Sequence, residues 1–130
     1  MKTVIQFFEE CVAKYGNNTF MWEKTDEVFS PTTYNETKEA VYTFASGLLS
    51  LGVGKSDKVA LLSEGRNAWI VSELAIFYLG AVNVPLSIKL EESNDLFFRL
   101  KHSDTKFLIV SNTQLRKVRS ILKDLPLIEK

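Results

Sequence analysis

The sequence predicts an α/β fold: a Rossmann-like, mostly parallel sheet with helices on both faces, plus a short amino-terminal hairpin. From Thr33 onward, segments alternate in the order helix-strand-helix-strand-helix-strand-helix. Residues 59–62 form an apolar run typical of a parallel strand covered on both faces, and residues 106–110 form a second such strand. The 130 residues, 45% of them hydrophobic, suffice for one domain with a real core or for part of a domain.

A helix and a hairpin are expected at the amino terminus. Thr3 is a candidate cap for a helix that ends near Tyr15 and Gly16. The apolar face of that helix is predicted to contain Val4, Phe7, Phe8 and Cys11. Residues 19–23 and 27–31 are two predicted short strands, joined by a turn at residues 24–26.

The second helix has the clearest boundaries in the sequence. Thr33 and Glu36 have the spacing of a capping box, in which each side chain accepts from the backbone amide of the other residue. Gly52 follows the last apolar residue, as expected for a left-handed helix cap. The predicted buried face consists of Val41, Phe44, Ala45, Leu48 and Leu49.

The helix predicted from Ala68 to Leu79 is apolar nearly all round, so it needs cover on a second side. A chain of this length offers little cover, so we expect either further chain or a partner, and self-association through this helix. A strand at 82–86 follows, then a helix containing Leu96, Phe97 and Leu100, the strand at 106–110, and a last helix. The last helix is predicted to carry Leu115, Val118, Ile121 and Leu122.

Charge and cysteine usage exclude some functional classes. Sixteen basic and sixteen acidic side chains cancel, so no net charge draws the chain to nucleic acid or to an anionic membrane. The single cysteine cannot form an intrachain disulfide, which fits a reducing compartment. We find no secretory signal and no transmembrane segment in the sequence. These observations predict a cytoplasmic protein.

Two motifs and two single residues invite functional interpretations, and each has a simpler structural one. Residues 52–56 are glycine-rich, but they leave a helix and enter a strand, whereas a phosphate-binding loop does the reverse. Residues 63–67 follow a strand's carboxyl end, so Glu64 and Arg66 could contact a ligand while Asn67 caps the next helix. His102 has no metal-ligand spacing around it, and Cys11 is most simply a core residue. We favour structural roles for all of them.

Seven short sequence segments match a known family in the same order along the chain. They lie at residues 14–16, 33–36, 45–53, 57–60, 67–69, 80–86 and 103–110. Together they resemble the beginning of AMP-forming acyl-CoA synthetases, members of the adenylate-forming superfamily. The sequence of residues 63–67 is similar to that of the bacterial long-chain fatty-acid branch. Ser56 departs from the family, which commonly has glycine before the aspartate.

The resemblance implies a two-step reaction: a fatty acid and ATP form an acyl-adenylate, and coenzyme A then forms the acyl-CoA. It also implies that the full-length enzyme requires Mg²⁺ and is cytoplasmic. Whether the full-length enzyme attaches peripherally to a membrane stays open. The sequence lacks the family's Ser/Thr/Gly-rich loop ending in Lys, its Tyr-Gly-x-Thr-Glu segment, its ribose-binding aspartate and its mobile-domain lysine. We therefore predict no catalytic, nucleotide-binding or metal-binding residue here, and no cofactor held by this segment.

These expectations define residues 1–130 as the amino-terminal portion of the large adenylating domain, inactive alone, with the carboxyl-terminal domain and the catalytic half absent. Two alternatives stay open. One is a standalone, non-catalytic α/β module that binds a partner protein. The other is a segment of a ligase that activates aryl or amino acids. The sequence does not define the acyl chain length or the native oligomeric state.

Overall fold

A computed structural model describes the backbone of residues 1–130 and every side chain except those of Glu92 and Ser93. The helices are α1 (Val4–Tyr15), α2 (Tyr34–Ser50), α3 (Asn67–Tyr78), α4 (Phe97–His102) and α5 (Leu115–Ile121). The strands are β1 (Thr19–Thr25), β2 (Val28–Thr33), β3 (Lys58–Leu62), β4 (Val82–Leu86) and β5 (Phe107–Val110). A π-helical turn, Glu92–Leu96, precedes α4, and short 3₁₀ turns flank α5.

The main sheet has the order β4-β3-β5, and β3 pairs in parallel with both neighbours. β3 is therefore the central strand, and its residues Val59 to Leu62 are fully buried. This is what a continuous apolar run predicts, because both faces of a central parallel strand are covered. β1 and β2 form a separate antiparallel hairpin.

Alternate residues of the strands face two helical layers, as the period of two requires. Val59 and Phe107 pack into a core with α1, α2 and α3, which we call the amino-terminal layer. Ala60 and Leu62 pack into a second core with α4 and α5, the carboxyl-terminal layer. The predicted α/β class, with a parallel sheet covered on both faces and a separate hairpin, is thus confirmed.

The helix starts follow the predicted caps. Thr3 and Gln6 form a reciprocal capping box at α1, and Thr33 and Glu36 form another at α2. The amide of Glu36 donates to Thr33 Oγ1 over 3.1 Å, and the Thr33 amide donates to the Glu36 carboxylate over 3.0 Å. The bond from the Thr33 amide lowers the pKa of the Glu36 carboxyl. The amides of Thr33 and Glu36 are therefore both satisfied locally.

Two predicted helix faces need correction. In α1 the buried side chains are Phe8 and Val12, with Ile5 packed against them, whereas Val4 and Phe7 are exposed. In α2 Leu49 is also exposed, while Val41, Ala45 and Leu48 are buried as predicted. In each helix, apolar residues extend around more than one side. The pattern alone did not show which side would meet the sheet.

The hairpin turn lies further along the chain than predicted. β1 continues to Thr25, β2 begins at Val28, and the connection is the pair Asp26-Glu27. Both residues have positive φ, 50° and 69°, as a tight two-residue hairpin turn requires. Asp-Glu is a weaker sequence signal for a left-handed turn than Asn-Gly. The turn was therefore predicted too early in the chain.

The expectation that this chain offers little cover for α3 needs correction. Its side chains Ser72, Leu74, Ala75 and Ile76 are buried, and Ile70, Val71, Phe77 and Tyr78 pack against the same core. α2, α1 and the hairpin supply that cover. The structure thereby removes the reason for expecting self-association through residues 68–79, which stays an untested prediction. No helix in the described chain is long and apolar enough to cross a bilayer.

Candidate functional site

The strand order creates one natural place for a ligand. The chain passes from β3 to β4 on one side and then returns to β5 on the other side of β3. In open parallel sheets, ligands bind outside the carboxyl ends of the strands where the connections diverge in this way. Here that position lies between residues 63–66, after β3, and residues 111–114, after β5.

Glu64 occupies this crevice and is held by the facing loop. Its Oε1 accepts a hydrogen bond of 2.8 Å from Gln114 Nε2 and a second bond from the Thr113 hydroxyl. The Thr113 bond, followed by the Gln114 bond, lowers the pKa of the Glu64 carboxyl to about 2. The carboxylate is therefore ionised at neutral pH and ties the two loops together. A fixed negative charge here opposes the binding of a phosphate group.

The helix that follows this loop is also not free to bind an anion. Arg66, not Asn67, is the N-cap residue of α3, and it makes no side-chain cap. The backbone amide of Asn67 donates to Glu23 Oε1 of the hairpin over 2.8 Å. The Asn67 side-chain amide bonds to the Thr32 hydroxyl over 3.2 Å. A carboxylate 44 residues earlier in the chain thus fills the position that a ligand's phosphate would take.

The structure corrects the predicted role of Asn67 and shows where Glu64 and Arg66 lie. The prediction that Asn67 caps α3 is wrong, because Glu23 reaches the helix end from a different element. Glu64 does contact another group, but that group belongs to the protein. Arg66 is exposed. The geometry at this edge therefore supports loop positioning, the structural role favoured from the sequence.

The glycine-rich connection from α2 to β3 is a cap and a turn, as expected. Gly52 has φ of 99° and closes the helix, and the Gly54 amide donates to Asp57 Oδ2 over 2.8 Å. Ser56 also lies in the left-handed region, with φ of 69°, and its amide bonds to the Gly80 carbonyl. This conformation explains why glycine suits that position, since side chains are strained there.

His102 and Cys11 lie on separate helices, α4 and α1. His102 is the last residue of α4 and stacks on the exposed ring of Phe98 with centroids 5.3 Å apart. Cys11 is half-buried and free rather than a full core residue. Among the described side chains, no group of three or more His, Cys, Asp or Glu residues has the arrangement of a metal site.

A polar cluster that the sequence reasoning missed joins the three helices of the amino-terminal layer. Glu9 of α1 accepts from Lys38 over 2.7 Å and from the Tyr42 hydroxyl over 2.6 Å, both on α2. It also accepts from the Tyr78 hydroxyl of α3. The bond from Lys38, then those from the tyrosines, lower the pKa of the Glu9 carboxyl to about 2. Burial, followed by the bond to Glu9, raises the pKa of Tyr78.

Apolar surface remains open elsewhere, in a groove of about 950 Å³ between α2 and β5. The groove walls include Phe44, Leu48, Leu51, Leu108 and Ile109. The outer edge of β5 is partly paired with residues 129 and 130. The Glu129 amide donates to the Lys106 carbonyl over 2.7 Å, and the Leu108 amide donates to the Lys130 carbonyl over 3.0 Å. We name this surface the α2–β5 groove.

Comparison with known proteins gives a consistent result. A chloroplastic long-chain-fatty-acid–[acyl-carrier-protein] ligase of Arabidopsis thaliana is 27% identical over 87% of this chain and 15% of its own length. A long-chain-fatty-acid–CoA ligase of Mus musculus is 29% identical over 95% of this chain and 17% of its own length. The chain thus spans about a sixth of the curated relatives that it matches.

A solved structure shows the same fold. The anthranilate CoA ligase AuaEII, in complex with anthranoyl-AMP, superimposes with a TM-score of 0.88 at 23% identity, covering 98% of this chain and 24% of that chain. The family profile described as AMP-binding enzyme matches residues 8–129. The predicted relationship is therefore confirmed, and the chain belongs to the AMP-binding enzyme family.

Proposed function

We propose that residues 1–130 are the amino-terminal portion of the large adenylating domain of an ATP-dependent fatty acid–CoA ligase. In this proposal the segment is scaffold, and the catalytic half and the carboxyl-terminal domain belong to the rest of the enzyme. One observation carries the proposal: the family match spans nearly the whole chain, yet the chain covers only 15–17% of the relatives' length.

The carboxyl edge of the sheet in this segment does not fit the triphosphate of ATP. The carboxyl edge of the sheet presents the ionised Glu64, and the amino terminus of α3 is already occupied by Glu23. Both features oppose a triphosphate, which needs free amides and cationic side chains. We therefore propose that ATP, Mg²⁺ and coenzyme A are bound by parts of the ligase outside these residues, and we assign no catalytic role here.

The scaffold role has a physical basis in the two cores. β3 and its fully buried side chains hold both helical layers, so the segment positions the strands that a longer sheet would extend. The α2–β5 groove is the open apolar surface on which we propose that the rest of the domain packs. In this proposal the α2–β5 groove, rather than α3, is the surface that needs cover.

We propose a long-chain fatty acid as the substrate of the whole ligase. The two curated relatives described above are named for long-chain fatty acids, although one transfers them to acyl carrier protein and the other to coenzyme A. The structural neighbour is named for anthranilate, an aryl acid, and supports the alternative of an aryl-activating ligase. The standalone-module alternative rested on an uncovered α3 and has lost that support.

Substrate-dependent exchange of pyrophosphate into ATP tests the proposal. The native gene product that contains this segment is assayed with palmitate, anthranilate and 4-hydroxybutyrate, each with Mg²⁺. We expect exchange with palmitate well above the other two acids. Exchange that is highest with anthranilate would replace the fatty-acid assignment with the aryl one. Absence of exchange with every carboxylic acid tested would contradict the ligase proposal.

A further inference from the structure

Three loops follow the carboxyl ends of the parallel strands, and two side chains tie them together. Residues 63–66 follow β3, residues 87–91 follow β4 and residues 111–114 follow β5. We call these segments the β3, β4 and β5 loops. Glu64 joins the β3 loop to the β5 loop. The β4 loop is held by a different residue, Lys117 of α5.

Lys117 makes two hydrogen bonds with the backbone of the β4 loop. Its Nζ donates to the Ile88 carbonyl over 2.5 Å and to the Leu90 carbonyl over 3.2 Å. Carbonyls of an irregular segment lack the partners that a helix or a sheet provides, and one cationic donor group satisfies both of these. The side chain of Leu90 packs against the carboxyl-terminal core. The loop is therefore fixed by its apolar side chain from below and by Lys117 through its backbone.

The contact of Lys117 spans the described three-stranded sheet. β4 and β5 lie on opposite sides of β3, so they are about 10 Å apart, twice the spacing of neighbouring strands. α5 begins just after β5, and Lys117 reaches from its first turn to the loop after β4. Glu64 supplies the link between the loops after β3 and β5. Together the two side chains connect the carboxyl ends of all three strands.

Lys117 does not favour the helix on which it lies. It is the third residue of α5, in the first turn, where the positive end of the helix dipole opposes a cation. Its charge-assisted bonds to the two carbonyls offset this unfavourable position. We therefore expect replacement of Lys117 to change the global stability little. The main effect of the residue falls on the β4 loop that it holds.

The edge that these loops form is the place at which open parallel sheets meet their ligands. Reaction rates are sensitive to errors of about 1 Å in the groups that position a substrate. We propose that Lys117 is a positioning residue of the ligase, which holds the β4 loop in the arrangement on which the catalytic half builds its substrate-binding surface. The role rests on the proposed ligase function, and it includes no contact between Lys117 and substrate.

Hydrogen exchange in the 130-residue chain tests whether Lys117 holds the loop. The amides of Lys89 and Leu90 bond to Ser87 within the loop, so their exchange reports its opening. Lys117→Met removes the donors, and we expect this exchange to accelerate by about fivefold. Lys117→Arg retains cationic donors and should exchange at nearly the parent rate.

The matched control is Lys123→Met, which removes the same charge at an exposed lysine in the turn after α5. We expect it to leave exchange in the β4 loop unchanged. Circular dichroism melting verifies that each variant is folded. Unchanged exchange in Lys117→Met, or equal acceleration in Lys123→Met, would overturn the proposal.

Steady-state kinetics of the native gene product test whether the loop position matters for the reaction. ATP–pyrophosphate exchange is measured with Mg²⁺ and the carboxylic acid that gives the highest rate. We expect Lys117→Met to lower kcat by about tenfold and to change the KM for ATP by less than about twofold. Lys117→Arg should restore most of the rate, and Lys123→Met should match the parent enzyme.

Failure of this proposal is distinguishable from failure of the ligase proposal. If the parent enzyme catalyses exchange and Lys117→Met has the same kcat per folded molecule, the positioning role is overturned and the ligase function stands. If the parent enzyme catalyses no exchange with any carboxylic acid, the ligase proposal is contradicted, and the positioning role is contradicted with it.

Discussion

The two helical layers on the sheet differ in the length and the capping of their helices. The amino-terminal layer has helices of 12, 17 and 12 residues, with two side-chain capping boxes and the Glu9 cluster joining them. The carboxyl-terminal layer has helices of six and seven residues, reached through a π-helical turn and without side-chain caps. Both layers bury apolar side chains on the sheet, and polar contacts between helices add to that burial in the first layer.

The difference teaches how stability is distributed between layers that share one sheet. Short helices without caps are marginal by themselves and form because an apolar face is buried. Core residues of both layers should therefore matter equally for stability, while polar contacts should matter mainly in the amino-terminal layer.

Core truncation in either layer has the largest expected effect. Leu48→Ala in α2 and Leu100→Ala in α4 each remove a buried side chain, and we expect each to lower the free energy of unfolding by about 3 kcal/mol. Leu49→Ala and Leu122→Ala, at exposed positions, are the matched controls. Urea unfolding followed by circular dichroism measures the changes. An early, separate transition in Leu100→Ala would contradict a single cooperative domain.

Removal of the Glu9 charge has the next largest effect. Glu9→Gln replaces charge-assisted bonds from Lys38 and two tyrosines, and we expect a loss of about 1–2 kcal/mol, limited by partial solvent exposure. Because folding lowers the Glu9 pKa from 4.5 to about 2, its contribution is fully present above about pH 4.5 and disappears as the pH falls toward 2.

The pH dependence of unfolding distinguishes this contribution from a general charge effect. Glu9→Gln is expected to flatten the stability curve between about pH 4.5 and 2, the range of the shifted pKa. Glu10→Gln, at the adjacent exposed position paired with Lys2, is the control and should leave the curve nearly unchanged. Equal slopes for the parent chain and Glu9→Gln would refute the proposed contribution.

The contact between the hairpin and α3 has a smaller expected effect. Glu23→Gln retains an acceptor for the Asn67 amide but removes the charge at the helix amino terminus, so we expect a loss of about 0.5–1 kcal/mol. Hydrogen exchange at the start of α3 and in β1 should accelerate. Glu27→Gln, in the exposed turn of the same hairpin, is the control. Similar exchange in both variants would argue against the docking role of Glu23.

The smallest predicted effect is a stabilisation. Ser56→Gly relieves a left-handed conformation at φ of 69°, and the gain should be about 0.5 kcal/mol after the extra flexibility of unfolded glycine is subtracted. Gly52→Ala, at φ of 99°, should have the opposite sign because alanine is strained there. Thermal melting of both variants is the measurement. Destabilisation by Ser56→Gly would show that the serine side chain makes a compensating contribution.

Local signals predicted much of this fold, and long-range contacts account for the errors. Thr33, Glu36 and Gly52 lie within a turn of the helix ends that they mark, so their roles were readable. Glu23 caps a helix 44 residues away, and no local pattern favours it over Asn67. The cover of α3 likewise depends on how three helices pack, which periodicity does not specify.

The candidate site shows the same limit. Its place at the carboxyl end of β3 followed from the strand and helix order, and the general character of residues 63–67 was predicted. The bond from Gln114 to Glu64 joins residues 50 apart, so the filling of the crevice was not predictable. Glu9, Lys38, Tyr42 and Tyr78 were missed because each was an ordinary helix residue until the three helices met.

The most direct test of the central claim uses the 130-residue chain alone. ATP–pyrophosphate exchange is measured with Mg²⁺ and palmitate at high protein concentration, after circular dichroism has shown that the chain is folded. The account predicts no exchange above the background without protein, because it assigns the phosphate-binding groups to other parts of the ligase. Exchange that depends on palmitate and disappears in Glu64→Gln would contradict it and place catalytic groups within these residues.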